Sequence, residues 1–159
     1  KGARGRLFDL GRLVHRTVFF PGTRGSSSLK KVLPALLASS ARLQKRYAEP
    51  IYGRDDSIRS MNFSNNVWVQ RNDAGSVIDP YLLLGERVDD PDLFGLERLE
   101  DEEEFIADGG AAMVAYGLLQ SGLLDEAATQ RLRLQLLRYC ELDTLAMVFA
   151  WEGLNELLT

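Results

Sequence analysis

The 159-residue sequence contains little cysteine, little histidine and no long apolar run. A single cysteine, Cys140, excludes an internal disulfide framework and is typical of a reducing compartment, so we expect the cytoplasm. A single histidine, His15, leaves no His/Cys cluster for zinc, and no nucleophile motif accompanies it to complete a Ser-His-Asp triad. No apolar run approaches the roughly eighteen residues that a membrane span needs. We therefore expect no membrane association.

Charge is distributed unevenly along the chain. Residues 1–46 carry eleven Lys and Arg against one acid, Asp9, whereas the remainder is acidic and brings the formal net charge of the whole chain to −4. A basic first third has the composition of a surface that faces phosphates. It also fits a solvated basic face that balances an acidic face within one fold. The sequence leaves both interpretations open.

The length is that of one ordinary domain, and its composition, 45% hydrophobic and 26% charged, is typical of a globular chain. We treat residues 1–159 as a single, partial domain with three segments. These are a basic helical segment at 6–47, a hairpin with an acidic loop insertion at 48–107, and C-terminal helices at 108–159.

The spacing of apolar residues predicts a mainly α-helical chain with a small β-hairpin. Residues 6–20 and 29–47 show helical periodicity, and Ser28 or a neighbouring serine can cap the second of these helices. Pro34 is expected to end or kink that helix early. Further on, "VWVQ" and "SVIDPY" flank "RNDAG" in the pattern of a hairpin on which Trp68 packs.

The C-terminal segment is predicted to be strongly helical. Asp108 and Asp125 stand where they can cap two successive helices, and Gly122 where it can end the first. Beyond Asp125 the apolar residues recur near the 3.6-residue period. That pattern predicts one long helix, or two helices joined by a kink near Tyr139.

Tyr139 and Asp143 are the candidate catalytic residues. Because they are four residues apart on a predicted helix, they lie on one face, one turn from each other. A carboxylate that faces a partner element is costly to bury unless something pairs it. A basic partner such as Lys30 or Arg138 would make Asp143 structural. A divalent cation would make it catalytic, with the phenol orienting a metal-bound water or a scissile phosphate.

Longer stretches resemble a known family. "YCELDTLAMV" is similar to the third motif of the DEDD superfamily of exonucleases, in the variant that ends in Tyr-x-x-x-Asp. "GTRGSSSLKKVLPALL" resembles a Gly-x-x-Ser-Ile/Leu-Lys-x-Val-Leu-Pro segment of an uncharacterised bacterial family with a predicted ribonuclease H-like nuclease domain. Three further stretches resemble later segments of that family in the same order: "NNVWVQRNDAGSVIDPYLLL", "IADGGAAMVAY" and "LLRYCELDTLAM".

The resemblance implies a function and a set of site residues. The intact domain would hydrolyse phosphodiester bonds at a single-stranded end of DNA or RNA, as a 3′–5′ exonuclease does. Asp143 would bind Mg²⁺ or Mn²⁺, and Tyr139 would position the attacking water. Arg24, Lys30 and Lys31 would contact the nucleic-acid backbone. The two lysines follow a Gly/Ser-rich loop at a helix N-terminus, where one of them could instead support a catalytic carboxylate. The two lysines are equally well explained as a surface pair beside a structural turn.

The sequence also departs from the family. No Asp-x-Glu strand precedes Arg6, and Asp9 matches a family position to which we assign no metal role. We therefore expect the C-terminal portion of an α/β ribonuclease H-like fold, with its central sheet largely missing. This portion alone should bind Mg²⁺ or Mn²⁺ weakly, cut nothing, and expose a helical face through which a homodimer can form. The alternative is a non-catalytic helical module for protein interaction or regulation.

Overall fold

The computed structural model describes residues 9–17, 20–84 and 110–157. These residues are mainly helical, as the sequence predicts. The helices are α1 (Leu10–Thr17), α2 (Leu29–Ser39), α3 (Ala41–Tyr47), α4 (Ala111–Ser121) and α5 (Glu126–Leu157), with 3-10 turns at Pro21–Thr23 and Pro80–Leu84. Extended segments within these ranges meet only in isolated bridges. The predicted acidic loop and the predicted cap at Asp108 lie outside the described residues.

Pro34 does not end its helix, so the expectation of an early end there is wrong. α2 continues through Pro34 to Ser39, and the chain breaks instead at Ser40, whose backbone is extended. Proline costs the helix one N–H donor and strains the preceding turn. Four buried residues on one stripe of α2 oppose that cost by packing into the core, namely Val32, Leu33, Leu36 and Leu37. Tertiary packing therefore outweighs the local penalty.

Ser40 joins three helices. Its hydroxyl oxygen accepts a hydrogen bond from the Leu43 N–H at 3.1 Å, which caps α3. The same hydroxyl donates to the Glu156 carboxylate near the end of α5. At the start of α2, Ser28 occupies the N-cap position with extended backbone, but its side chain makes no capping hydrogen bond. Ser28 therefore lies at the predicted N-cap position but does not form the expected side-chain hydrogen bond.

The predicted hairpin is reduced to a turn. The Asn72 N–H donates to the Ser76 carbonyl at 3.0 Å, and the Gly75 N–H donates to the Asn72 carbonyl at 2.8 Å. One isolated antiparallel bridge, between Arg71 and Val77, flanks this turn, and neither flank forms a strand in the described part of the chain. The indole of Trp68 is buried in the main core instead.

α5 is the central element of the main core. It runs without interruption for 32 residues, so the alternative of a kink near Tyr139 does not apply. Residues from every other described helix except α4 pack with it into one cluster. α2 crosses α5 closely at Gly153, where an added Cβ would lie 2.5 Å from Leu36 Cδ1. Any larger residue at this position would force the buried Leu36 side chain to move.

α4 and the first half of α5 form a second, smaller cluster. α4 ends at Gly122 in the left-handed conformation (φ 69°), as predicted. The Asp125 carboxylate accepts a hydrogen bond from the Ala128 N–H at 2.7 Å and so caps α5, also as predicted. The two buried residues of the cluster are Ala115 and Leu132. On the outer face of α4, Met113 and Tyr116 are exposed.

Candidate functional site

Asp143 lies on one edge of the buried face of α5, opposite the 3-10 turn Pro80–Leu84. That turn is set locally: the Asp79 carboxylate accepts a hydrogen bond from the Tyr81 N–H at 3.0 Å, and Pro80 is buried. The turn directs Tyr81 toward α5, where its hydroxyl donates a hydrogen bond to Asp143 Oδ1 at 2.7 Å. The acid is thus held by a phenol that the sequence did not indicate.

Tyr139 and Lys30 complete this arrangement. The ring centroids of Tyr139 and Tyr81 are 6.1 Å apart, in a tilted pair. The Lys30 ammonium lies 5.0 Å from the Tyr139 centroid and 5.9 Å from the Tyr81 centroid, within the range of cation–π attraction to both rings. We call Lys30, Tyr81, Tyr139 and Asp143 the Asp143 cluster. It brings Lys30, from a distant segment, next to the predicted pair of Tyr139 and Asp143.

No basic side chain neutralises Asp143 within the described residues. Ion pairs there join Arg54 to Asp56 and Arg46 to Glu152. Arg138, a predicted alternative partner, donates from Nε to the Asn62 carbonyl at 3.1 Å and lies over the Phe63 ring instead. Asp143 is partly buried, so its carboxylate is not fully exposed to bulk water. Among the described residues it forms no ion pair.

The pKa of Tyr81 is consistent with its hydroxyl being the hydrogen-bond donor to Asp143. Burial raises the pKa of Tyr81, and the hydrogen bond to Asp143 and its negative charge raise it further. Tyr81 therefore keeps its proton at neutral pH and acts as a donor to the carboxylate. Asp143 Oδ2 makes no hydrogen bond to another residue in the described ranges.

A metal ion would find one suitable ligand here. Carboxylates that bind metals are generally held by hydrogen bonds from neighbouring groups, as Asp143 is by Tyr81. Within residues 9–17, 20–84 and 110–157, however, no three His, Cys, Asp or Glu side chains gather closely enough to hold a metal. Asp143 thus fits as one ligand of a larger set, and the described residues do not supply the whole set.

The other predicted nucleic-acid contacts are not part of the cluster. Arg24 is exposed in a left-handed conformation (φ 51°) after the first 3-10 turn, and Lys31 is exposed in the first turn of α2. No hydrogen bond, ion pair or ring contact joins either of them to Tyr139 or Asp143 in the described structure. Both lie on the surface near the N-terminus of α2, and their role as phosphate contacts remains a prediction.

Glu141 forms a second polar site on the opposite edge of α5. Its carboxylate accepts hydrogen bonds from the Tyr52 hydroxyl at 2.7 Å, from the Asn62 amide at 2.6 Å, and from the Ser60 hydroxyl. Burial acts to raise the pKa of Glu141, but the three hydrogen bonds outweigh it, and the pKa lies below its usual value. Burial and the bond to Glu141 raise the pKa of Tyr52. This site holds the 52–62 segment on α5.

A cleft of about 890 Å³ lies between the 52–62 segment and α5. Its floor on α5 includes Leu137, Cys140 and Val148, all of which are exposed. A cysteine without a disulfide is among the residues most often buried, but Cys140 is exposed here. Trp151 is also 52% exposed on this outer side of α5. An apolar stripe on α5 is thus uncovered by the described residues.

The comparisons with known proteins add no identification. No protein-family model, curated protein or solved structure matches this chain. The family resemblance therefore stays a prediction, and functional inference depends on the site alone. Among the described residues, no helix combines the length and the hydropathy that crossing a bilayer requires.

Proposed function

We propose that this chain is part of a metal-dependent nuclease that hydrolyses phosphodiester bonds at a single-stranded end of DNA or RNA, in the manner of a 3′–5′ exonuclease. The observation that supports it is the Asp143 cluster. The sequence singled out Tyr139 and Asp143 as a pair and Lys30 on a distant segment, and the three lie together at a partly exposed edge of α5. Among the described residues, Asp143 Oδ2 accepts no hydrogen bond and the carboxylate forms no ion pair.

In this proposal each side chain has a distinct task. Asp143 would hold Mg²⁺ or Mn²⁺, which when bound supplies Lewis-acid stabilisation of a phosphoryl oxygen. Tyr139, one turn away on the same helix, would donate a hydrogen bond that orients a water or a phosphate. Lys30 would hold the Tyr139 ring by its cation–π contact. Arg24, Lys30 and Lys31 would bring positive charge to the strand, with a salt-dependent affinity.

Charge balance limits what the described residues do by themselves. Two divalent ions about 4 Å apart carry four positive charges, and several carboxylates are needed to offset them. The described residues offer no group of three or more His, Cys, Asp or Glu side chains at this place. The remaining acids must come from outside the described residues. We expect this chain by itself to bind Mn²⁺ weakly and to cut nothing.

The test is a nuclease assay with Mn²⁺ on the protein that contains this chain and on the chain alone. Substrates are single-stranded DNA and RNA oligonucleotides labelled at the 5′ end, so that loss from the 3′ end gives a ladder. Asp143→Asn should reduce hydrolysis at least about 100-fold, because a metal ligand contributes several kcal/mol of transition-state stabilisation. Asp73→Asn, at an exposed position in the 72–75 turn, is the matched control and should leave the rate unchanged. Equal rates for Asp143→Asn and wild type would contradict the proposal.

The second candidate is a non-catalytic helical module that binds another protein or a second copy of itself. It is favoured by the uncovered stripe on the outer face of α5, where Leu137, Met147, Val148 and Trp151 are each more than 40% exposed. Apolar surface of this kind commonly marks an interface. Sedimentation of wild type and of Trp151→Asp tests whether this stripe is an interface. A concentration-dependent dimer that the substitution dissociates favours the module only if the protein that contains this chain also shows no hydrolysis that depends on Asp143.

A further inference from the structure

We propose that the outer face of α5 binds a second copy of this chain, with the two α5 helices antiparallel and a two-fold axis near Thr144. The inference goes beyond the nuclease proposal and does not depend on it. It sharpens the helical-module candidate by naming the partner and the direction in which that partner lies. The surface is a row of exposed residues that we call the α5 seam: Leu137, Cys140, Thr144, Met147 and Trp151.

The α5 seam has the spacing of a surface that pairs two helices. Its residues are three, four, three and four positions apart, which is the heptad spacing that keeps one stripe of a helix facing a neighbouring helix. The opposite face of α5 packs into the main core, where Leu142 and Phe149 are fully buried. The helix therefore has two apolar faces, and the described residues leave the second one exposed.

The α5 seam is complementary to itself about Thr144. Leu137 lies seven positions before this residue and Trp151 seven positions after it, so an antiparallel second copy places each Trp151 beside the other copy's Leu137. Thr144 and Cys140 are small, which lets the two helices approach closely at the centre. The Thr144 hydroxyl donates to the Cys140 carbonyl of its own helix at 3.0 Å, so covering it leaves no hydroxyl donor without an acceptor.

Charge along α5 favours the antiparallel direction. Its first half, 126–140, carries three arginines against one glutamate, and its second half, 141–157, carries four acids and no base. Arg46 of α3 pairs with Glu152 and offsets one of those acids, while Arg133 of the first half is exposed. An antiparallel pair sets the basic half of each copy against the acidic half of the other, whereas a parallel pair sets like charges together.

The first experiment is sedimentation equilibrium of the full 159-residue chain over a range of concentrations, in which we expect a monomer–dimer equilibrium. Trp151→Asp should raise the dissociation constant at least about 100-fold, since a two-fold interface loses a large aromatic contact twice and gains two charges. Trp151 is 52% exposed, so this variant should fold, and urea unfolding checks that it does. Met113→Asp, at an exposed apolar position of α4, is the matched control and should dimerise as wild type does.

The second experiment measures the direction of the partner helix by pulsed electron paramagnetic resonance. Cys140→Ser removes the native thiol, and Gln130→Cys carries a spin label at an exposed position near the start of α5. Fourteen positions separate Gln130 from Thr144, so at a rise of about 1.5 Å per residue the two labels of an antiparallel dimer should lie about 40–45 Å apart. In a parallel dimer they would lie within about 20 Å of each other.

The outcomes decide the partner and the direction separately. A dimer that Trp151→Asp dissociates and whose labels lie about 40–45 Å apart supports the inference. A monomer at every concentration overturns it, and so does a dimer that Trp151→Asp leaves intact or that Met113→Asp dissociates. Labels within about 20 Å of each other overturn the antiparallel arrangement. None of these results bears on hydrolysis that depends on Asp143, so the nuclease proposal is tested by its own assay.

Discussion

Asp143 and Glu141 are two carboxylates on the same helix, two residues apart, with different surroundings. Residues that far apart on a helix are rotated by about 200°, so they lie on opposite edges of the buried face of α5. Glu141 accepts three hydrogen bonds from one segment, and Asp143 accepts one. The difference shows that the segment packed against each edge, and not the helix, decides whether an acid has capacity left for a ligand.

The two neighbouring segments differ in what they donate. The 52–62 segment is irregular and presents a phenol, a hydroxyl and an amide to Glu141. The 3-10 turn at Pro80–Leu84 is short and largely apolar, and it presents the single hydroxyl of Tyr81. Glu141 is therefore a structural anchor for its segment. Asp143 is held in place but retains an acceptor that a cation or a water could use.

The largest effect that tests this contrast is on stability. Glu141→Ala removes one acceptor from three donors, and we expect it to lower the free energy of unfolding by about 2–3 kcal/mol after allowing for partial exposure. Asp143→Ala should cost less than about 1 kcal/mol, since only Tyr81 loses a partner. Urea unfolding of both variants measures the difference. If Asp143→Ala is the more damaging change, the acid is structural and the contrast is wrong.

A smaller effect should appear in acid. Because the pKa of Glu141 is lowered in the folded state, its contribution to stability is present above its ordinary pKa, about 4.3, and is lost as pH falls through the folded value. In Glu141→Gln the free energy of unfolding should therefore fall less steeply below about pH 4.5 than in wild type, and the total difference should be less than about 1 kcal/mol. Unfolding curves between pH 3 and pH 7 measure this. Glu49→Gln, the same change at an exposed acid after α3, is the control and should leave the slope unchanged.

Local patterns predicted the elements that depend on neighbouring residues. The helical periodicity, the left-handed end of α4 at Gly122 and the cap at Asp125 were all predictable, because each involves residues within about one turn. The shared face of Tyr139 and Asp143 follows from the same short-range geometry. Pro34 was misjudged, since the gain from packing α2 on α5 depends on residues more than a hundred positions away.

The partners of the two carboxylates could not be predicted in the same way. Tyr81 reaches Asp143 across 62 positions, and Tyr52 reaches Glu141 across 89. A periodicity search reports nothing about such pairs. The one local signal was "DPY", a turn-forming sequence that predicts where the chain bends and not what the tyrosine contacts. The Glu141 site was missed for this reason, and so was Tyr81.

The smallest effect concerns the phenols, and it tests whether the two edges are independent. Burial raises the pKa of Tyr81 most, and Asp143 raises it further; Asp143→Asn removes the second cause, so that pKa should fall part of the way toward the ordinary value of about 10. Glu141→Gln should do the same for Tyr52. NMR of chain labelled with ¹³C at tyrosine Cζ follows each phenol separately, and Tyr81→Phe and Tyr52→Phe assign the signals.

Each substitution is the control for the other. Asp143→Asn should leave the pKa of Tyr52 unchanged, and Glu141→Gln should leave that of Tyr81 unchanged, because the two pairs lie on opposite edges of α5. The raised pKa of Tyr81 also means that its contribution to stability is fully present below about pH 10 and is lost as pH rises through the folded value. If either substitution changed the pKa values of both Tyr52 and Tyr81, the two edges of α5 would be coupled. A cation that displaced Tyr81 from Asp143 would then also disturb the segment that Glu141 anchors. That result would argue against a catalytic site at Asp143 that is independent of Glu141.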